Sequence, residues 1–238
     1  VDSVSKRQTH NRPTAPFTTS TLQQEAWRKL RFTARRTMSV AQQLYEGLPI
    51  GNEGSVGLIT YMRTDSTTVA NSAVQETRAY ISPTFGPDYL PKSPRVYTKK
   101  TRGAQEAHEA IRPTSITREP ESIKSYLNND QARLYGIIWR RMLASQMADA
   151  LIDRTIIDIS AVSQSNAKYD FRAQGQVLKF PGFRAVYMED RDDAVNDDST
   201  ESTNLPELKK GEALNCHKIT KEQRFTEPPP RYSEATLV

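Results

Sequence analysis

Apolar residues recur three and four positions apart over roughly the first 150 residues and alternate with polar ones afterwards, which predicts helices followed by strands. Leu22, Ala26 and Leu30 mark a first helix, with Thr19 or Ser20 as its cap and Gln23 or Gln24 reaching back. Val40, Ala41, Leu44 and Tyr45 mark a second, capped by Thr37 and ended by Gly47 and Pro49. Leu58 to Met62 reads as a brief extended segment. A third helix starts at Ser66 or Thr67 and runs through Val69, Ala73, Val74, Thr77 and Ile81 to a proline-rich loop, Pro83 to Pro94. Gln105 to Ile111 predicts one or two helical turns stopped by Pro113. Gln131 to Ala148 predicts the strongest helix, with Leu134, Ile137, Ile138, Met142 and Ala148 on its apolar face.

Near Ala150 the period changes. Thr155–Val162, Tyr169–Ala173, Val177–Phe180, Arg184–Met188 and Ala213–Thr220 read as strands, with turns at Gly175 and Pro181–Gly182. Val1 to Lys6 reads as the end of a strand whose sheet lies mostly upstream. Glu189 to Asn204 is acidic and rich in Ser and Thr, so a loop or disordered insert is expected there. The division is a helical unit of about 17–150 followed by a β unit of about 151–224, an α+β organisation.

Composition narrows the class. Mean hydropathy is −0.69 and no apolar run approaches the ~20 residues that span a bilayer, so no membrane partner is expected. No signal peptide is visible, and a chain that starts with Val reads as a fragment or processed form. The single cysteine, Cys216, excludes an internal disulfide and reads with His217 as structural, an idle or buried thiol on a strand. His10 falls in a frayed N-terminal segment. Residues 1–118 hold 17 Lys+Arg against 9 Asp+Glu, whereas residues 119–238 hold 16 against 19. A basic first half points to a nucleic-acid substrate, although a solvated basic surface would look the same.

That half contains ITYMRTDS, Ile59 to Ser66. Tyr61 and Arg63 project to one side of an extended segment. A phenol can attack a phosphodiester if something takes its proton and something neutralises the charge on phosphorus, and a guanidinium fork suits the second task. Phenols titrate near ~10, so at neutral pH a base or a strong field is needed as well. Taken alone, Tyr-x-Arg also describes a core tyrosine beside a surface arginine. His108, between Glu106 and Glu109, can hold a proton near neutrality and hydrogen-bond a phosphate. Asp65 caps the following helix or orients Arg63, and capping fits its place better.

Four segments in order carry a wider resemblance: PFTTSTLQQEA (Pro16 to Ala26), GLITYMRTDST (Gly57 to Thr67), AQEAHEAIRPT (Ala104 to Thr114) and RFTEPPPRYSEATLV (Arg224 to Val238). Together they resemble the signature segments of the bacterial-type, type IA DNA topoisomerase I family, from about Pro16 to the last residue and most weakly near Arg191 to Asn204. The resemblance implies part of a toroidal enzyme: the end of a β-rich arm (1–16), a helical domain with the reactive tyrosine (17–150), more of the arm (151–224) and the start of a further helical region (225–238). It implies that Tyr61 is the nucleophile, that Arg63 and His108 act in catalysis, and that Arg112, Ser20, Thr21, Gln23 and Asp65 line the DNA cleft. The implied reaction is ATP-independent cleavage of single-stranded or negatively supercoiled DNA through a 5′-phosphotyrosyl intermediate, with strand passage and religation.

The family also uses Mg²⁺ held by an N-terminal acidic domain. No comparable D-x-D group stands in this sequence, and a continuation of the G-R-P-S-T type is expected beyond Val238, so the chain is expected to be inactive alone. The resemblance places a bacterial enzyme at the nucleoid and a plant or other eukaryotic one in an organelle. A non-catalytic single-stranded-DNA-binding gate module is the alternative reading. A tyrosine recombinase fits less well, because its chemistry needs several arginines and gives a 3′ adduct.

Overall fold

A computed structural model describes residues 1–97, 109–189, 205–223, 225, 226, 228 and 231–238. The elements are β1 (Ser3–Asn11), α1 (Thr19–Leu30), α2 (Ala34–Glu46), β2 (Leu48–Pro49), β3 (Ser55–Val56), α3 (Asn71–Phe85), α4 (Pro120–Ile123), α5 (Asn129–Ser145), β4 (Ala150–Val162), β5 (Lys168–Phe180) and α6 (Glu234–Leu237). Helices and sheets segregate, so the α+β expectation holds. Two units emerge: one built on Val1–Asn11 and Ala150–Pro181, the other on Arg12–Asp149 with the segment beginning at Gly182 and Tyr232–Val238.

The helical unit is organised around α5, which lies against α1, α2, α3 and α4. Leu134, Tyr135, Ile138, Met142 and Leu143 of α5 are buried, as are Leu22 and Ala26 of α1 and Ala41 and Leu44 of α2. A side chain of this kind contributes roughly 1.5–3 kcal/mol when fully removed from water, which is what holds short, weakly helical segments in place. Two polar tips on α5 fasten the chain that follows the third signature segment: Tyr135 donates to the Arg118 carbonyl at 2.7 Å and Trp139 Nε1 to that of Ile116 at 2.8 Å. Arg141, 4% exposed, donates to the Ala15 carbonyl, pairs with Glu189 and lies over the rings of Phe17 and Tyr187. Nearby, Tyr187 donates to the buried Glu25 carboxylate at 2.7 Å, and burial raises the pKa of Glu25 above the ordinary carboxylate value.

Several boundaries shift from the sequence expectation, each for a local reason. Thr18 caps α1 with Thr21 reciprocating, and Thr33 caps α2 while Thr37 lies inside it and donates to the Thr33 carbonyl. Near Ser66 the hydroxyls of Thr64 and Ser66 accept from the Ser66 and Thr68 N–H groups. Such local turns compete with helix, and α3 begins only at Asn71. It then runs through Pro83, in its last turn, where Thr84 Oγ1 donates to the Tyr80 carbonyl. Residues 105–108 of the predicted turn before Pro113 lie outside the described residues. The described part is extended, with Ile111 bridged to Phe17 and Pro113 to Ile59. The helix over Gln131–Ala148 is shorter at its end: α5 stops at Ser145, and the Ala148 N–H donates to the Tyr89 carbonyl.

The other unit is an antiparallel sheet of order β1-β4-β5. β1 is a full strand that includes His10, opposite Leu151, and it pairs with β4 downstream. Gly175 makes no turn; it pairs with Thr155 in the middle of one long hairpin, and the chain reverses at Ser163–Ala167 with Asn166 at φ 64°. The strand expected over Arg184–Met188 does not form, its start being taken up by a 3-10 turn at Gly182–Ala185, and no strand occurs among described residues 205–223, where Cys216 is exposed. The predicted insert from residue 190 to 204 lies outside the described residues.

Gly182 has φ +48°, and a Cβ there would sit 2.3 Å from the Asp149 carbonyl and 2.5 Å from that of Ala148. Gly182→Ala is expected to cost at least ~2 kcal/mol and lower the Tm by several degrees; an unchanged melting curve contradicts this geometry. Burial pushes the Tyr97 phenol up to about 12 and raises Tyr135 and Tyr187 as well. A proton held more tightly in the folded state stabilises fully below the unfolded value of 10.0 and is lost as pH rises through about 12. Helical circular dichroism should therefore fall steeply above pH ~10, and Tyr97→Phe should flatten that slope. A variant as steep as the parent would rule Tyr97 out as a contributor.

Candidate active site

Gly57 to Ser66 makes no helix and no strand beyond one isolated bridge, so its position comes from hydrogen bonds to neighbouring segments. Leu58 N–H donates to the Leu44 carbonyl at the end of α2, 2.7 Å. Thr60 N–H donates to the Arg112 carbonyl at 2.9 Å, and its hydroxyl donates to that of Ala110 at 2.7 Å while accepting from Arg112 N–H at 3.0 Å. Thr19, the first residue of α1, does the corresponding work on the other side. Its hydroxyl accepts from Thr64 N–H at 2.8 Å and lies 2.8 and 3.0 Å from the Met62 and Thr64 carbonyls, one donor between two acceptors. Its own N–H donates to the Thr64 carbonyl at 2.8 Å. Leu58, Ile59 and Met62 are buried beneath.

The alternation that follows is the one expected. With Met62 inward, Tyr61 is 44% exposed and Arg63 is exposed. Among the described residues Arg63 has no hydrogen-bond or ion-pair partner. Tyr61 makes an edge contact with Tyr45 of α2, centroids 5.3 Å apart.

Arg112 differs. Its Nε and Nη2 both donate to Glu109 Oε2, at 3.0 and 2.6 Å, and its Nη1 donates to the Pro113 carbonyl at 2.9 Å. It is an internal brace of its loop. The other Glu109 oxygen accepts from Ala70 N–H at the start of α3, 2.9 Å, so Glu109 supplies the cap that Asp65 was expected to give. Asp65 is exposed and five residues short of that helix end. Thr21 is engaged in the α1 capping box, Ser20 is exposed beside it and Gln23 is half-buried. His108 lies outside the described residues.

The structural roles of Thr19, Thr60 and Glu109 were not anticipated. The cluster of hydroxyl residues before Leu22 was a signal for Thr19, read as helix capping alone. Nothing local marks Thr60 and Glu109, whose partners are about 40 to 50 residues away in sequence. Tyr61 and Arg63 line neither of two hollows, of about 510 and 370 Å³, found elsewhere in the helical unit. An open surface bearing a phenol and an exposed guanidinium suits a segment of polymer better than an enclosed small molecule. Among the described residues no group of three or more His, Cys, Asp or Glu is placed to hold a metal ion, and no helix is long and apolar enough to cross a membrane.

Comparison with known proteins agrees with this geometry. The family model described as DNA topoisomerase matches residues 1–238. DNA topoisomerase 1 of Xylella fastidiosa (strain Temecula1) is 48% identical over 238 residues, covering 100% of this chain and 29% of that protein. DNA topoisomerase 1 of Rickettsia felis is also 48% identical over 238 residues, covering 30% of its own length. The structure of full-length topoisomerase I from Thermotoga maritima superposes with a TM-score of 0.66 at 38% identity, over 80% of this chain and 29% of that one. The chain thus spans less than a third of the length of these relatives. With a match across its whole length and an α+β fold shared with a solved relative, this chain belongs to the bacterial-type, type IA DNA topoisomerase family.

Proposed function

We propose that this chain is the tyrosine-bearing part of an enzyme that cuts one DNA strand, passes another through the gap and reseals it. The observation that carries the reading is the half-exposed Tyr61 two residues from an exposed Arg63 that has no partner among the described residues, on a backbone clamped by Thr19 and Thr60. The Tyr61 oxygen attacks phosphorus, the bond to the 3′ oxygen breaks, and the 3′ hydroxyl leaves with a proton. The 5′ phosphate stays on Tyr61, and attack by the 3′ hydroxyl reverses the step. One phosphodiester is exchanged for another of similar energy, so no ATP is consumed. Arg63 neutralises charge on the non-bridging oxygens as it builds. His108 hydrogen-bonds the scissile phosphate, and Ser20, Gln23 and Asp65 border the strand's path. Arg112 and Thr21 shape that path through the backbone they brace.

The helical unit is the domain that presents the nucleophile, and the sheet unit is part of the arm that carries it. Substrates are single-stranded and negatively supercoiled DNA. The Mg²⁺ that the family uses does not fit the described residues, which offer no such cluster, and its ligands belong to an acidic domain outside residues 1–238. That same observation favours a second reading, a gate module that binds single strands without cutting them. The relatives named above are bacterial, and action at the nucleoid follows for a bacterial source, with an organelle as the site in a eukaryote.

The test uses protein expressed from the complete reading frame, 3′-labelled single-stranded DNA and Mg²⁺. A labelled covalent adduct is expected, and Tyr61→Phe should abolish it. DNA binding without any adduct would select the gate module. Arg63→Ala is expected to slow adduct formation by roughly 100-fold, since a lost transition-state donor costs ~10²–10³ in rate. A rate within twofold of the parent would remove Arg63 from the chemistry.

A further inference from the structure

Among the described residues, the ring of Tyr61 has one aromatic neighbour, Tyr45, whose plane is inclined by 64° with centroids 5.3 Å apart. Both rings are about two-fifths exposed, unlike the tyrosines of the core. Their meeting is built into the backbone. Tyr45 ends α2 but for one residue, and there the Leu44 carbonyl accepts from Leu58 N–H. A Cβ on Gly57 would come within 2.8 Å of the Tyr45 carbonyl, so the two chains cross about as closely as glycine permits. Gly47, at φ +114°, then turns the chain away from the crossing, and a Cβ there would meet Ser55 Oγ at 2.7 Å.

We infer that Tyr45 is a positioning residue for the nucleophile, its ring edge selecting the side-chain rotamer in which the Tyr61 hydroxyl faces the phosphate; this rests on the reading that Tyr61 attacks DNA. A half-exposed tyrosine has three staggered χ1 wells and little packing to choose among them. Attack needs the reacting atoms within about 3–3.5 Å and in line, so time spent in other wells is lost to the reaction. An edge-to-face pair biases that choice by roughly 3- to 10-fold. The Tyr45 hydroxyl has no hydrogen-bond partner among the described residues, which leaves the ring itself as the part that acts.

The experiment measures single-turnover adduct formation at saturating single-stranded DNA, and DNA affinity separately, in protein from the complete reading frame. Tyr45→Leu is expected to slow the saturated rate roughly 3- to 10-fold with affinity unchanged, and Tyr45→Phe to recover most of the loss. A purely structural role would not split rate from affinity in this way. In parallel, 3-fluorotyrosine placed at position 61 should show a ¹⁹F resonance that moves when Tyr45 becomes Leu, read without any turnover. Equal rates in the parent and Tyr45→Leu would overturn the inference. So would a loss of affinity at an intact saturated rate, a Tyr45→Phe as slow as Tyr45→Leu, or an unmoved fluorine resonance. Absence of adduct in the parent would instead overturn the reading on which it rests.

Discussion

The position of the reactive tyrosine depends on two threonine hydroxyls. Tyr61 lies in a segment with no ladder of its own, and such a segment is ordinarily mobile because nothing offsets the ~1–2 kcal/mol per residue of backbone entropy that order costs. Thr60 and Thr19 supply the missing partners from opposite sides. Each hydroxyl both donates and accepts, so one small side chain satisfies backbone N–H and C=O groups of the segment it faces. The odd-numbered residues between them are left to face outward. The helices matter to the site mainly as anchors: α1 delivers Thr19, the end of α2 receives Leu58, and α5 fixes the segment after Thr114 through Tyr135 and Trp139.

Three arginines illustrate how surroundings divide one residue type among tasks. Arg141 is buried, charge-paired and set against two rings, a structural cation. Arg112 has its whole fork engaged within its own loop, and the carboxylate it holds is also the cap of α3. Arg63 alone of the three has no such partner among the described residues. A phosphate approaching Arg63 need not displace a carboxylate first, whereas one approaching Arg112 would.

The helices were legible because their periodicity is strong: Leu22, Ala26, Leu44, Leu134 and Met142 are all where a 3.6-residue repeat put them. Caps were misplaced by one to four residues, since runs such as Thr18–Thr19–Ser20–Thr21 offer several hydroxyls of equal promise and only tertiary contacts choose. Thr19, a plausible cap, was claimed instead by the tyrosine segment. Gly175 misled for a related reason. A glycine in a strand signals a turn only if the chain reverses there, and the reversal fell to Ser163–Ala167. In the site, Tyr61 and Arg63 could be read from their spacing because alternation is a local property. The Glu109 cap, the Thr60 bridge and the Tyr45 contact join residues 16 to 52 apart, and no local pattern encodes them.

The pairing of β1 with β4 has a consequence for how the molecule is made. Asn11 meets Ala150, so about 140 residues separate the two strands along the chain. During synthesis at ~5–20 residues per second, β1 leaves the ribosome many seconds before its partner exists. For that interval the edge that β4 will cover is open, the kind of surface that invites wrong partners. Its sequence, Ser-Val-Ser-Lys-Arg-Gln-Thr-His-Asn, is polar and carries adjacent positive charges, which discourages such pairing. Most of the helical unit lies between Arg12 and Asp149, whose side chains approach to 4.0 Å. Its folding brings the two ends of the interval together and turns a distant encounter into a local one.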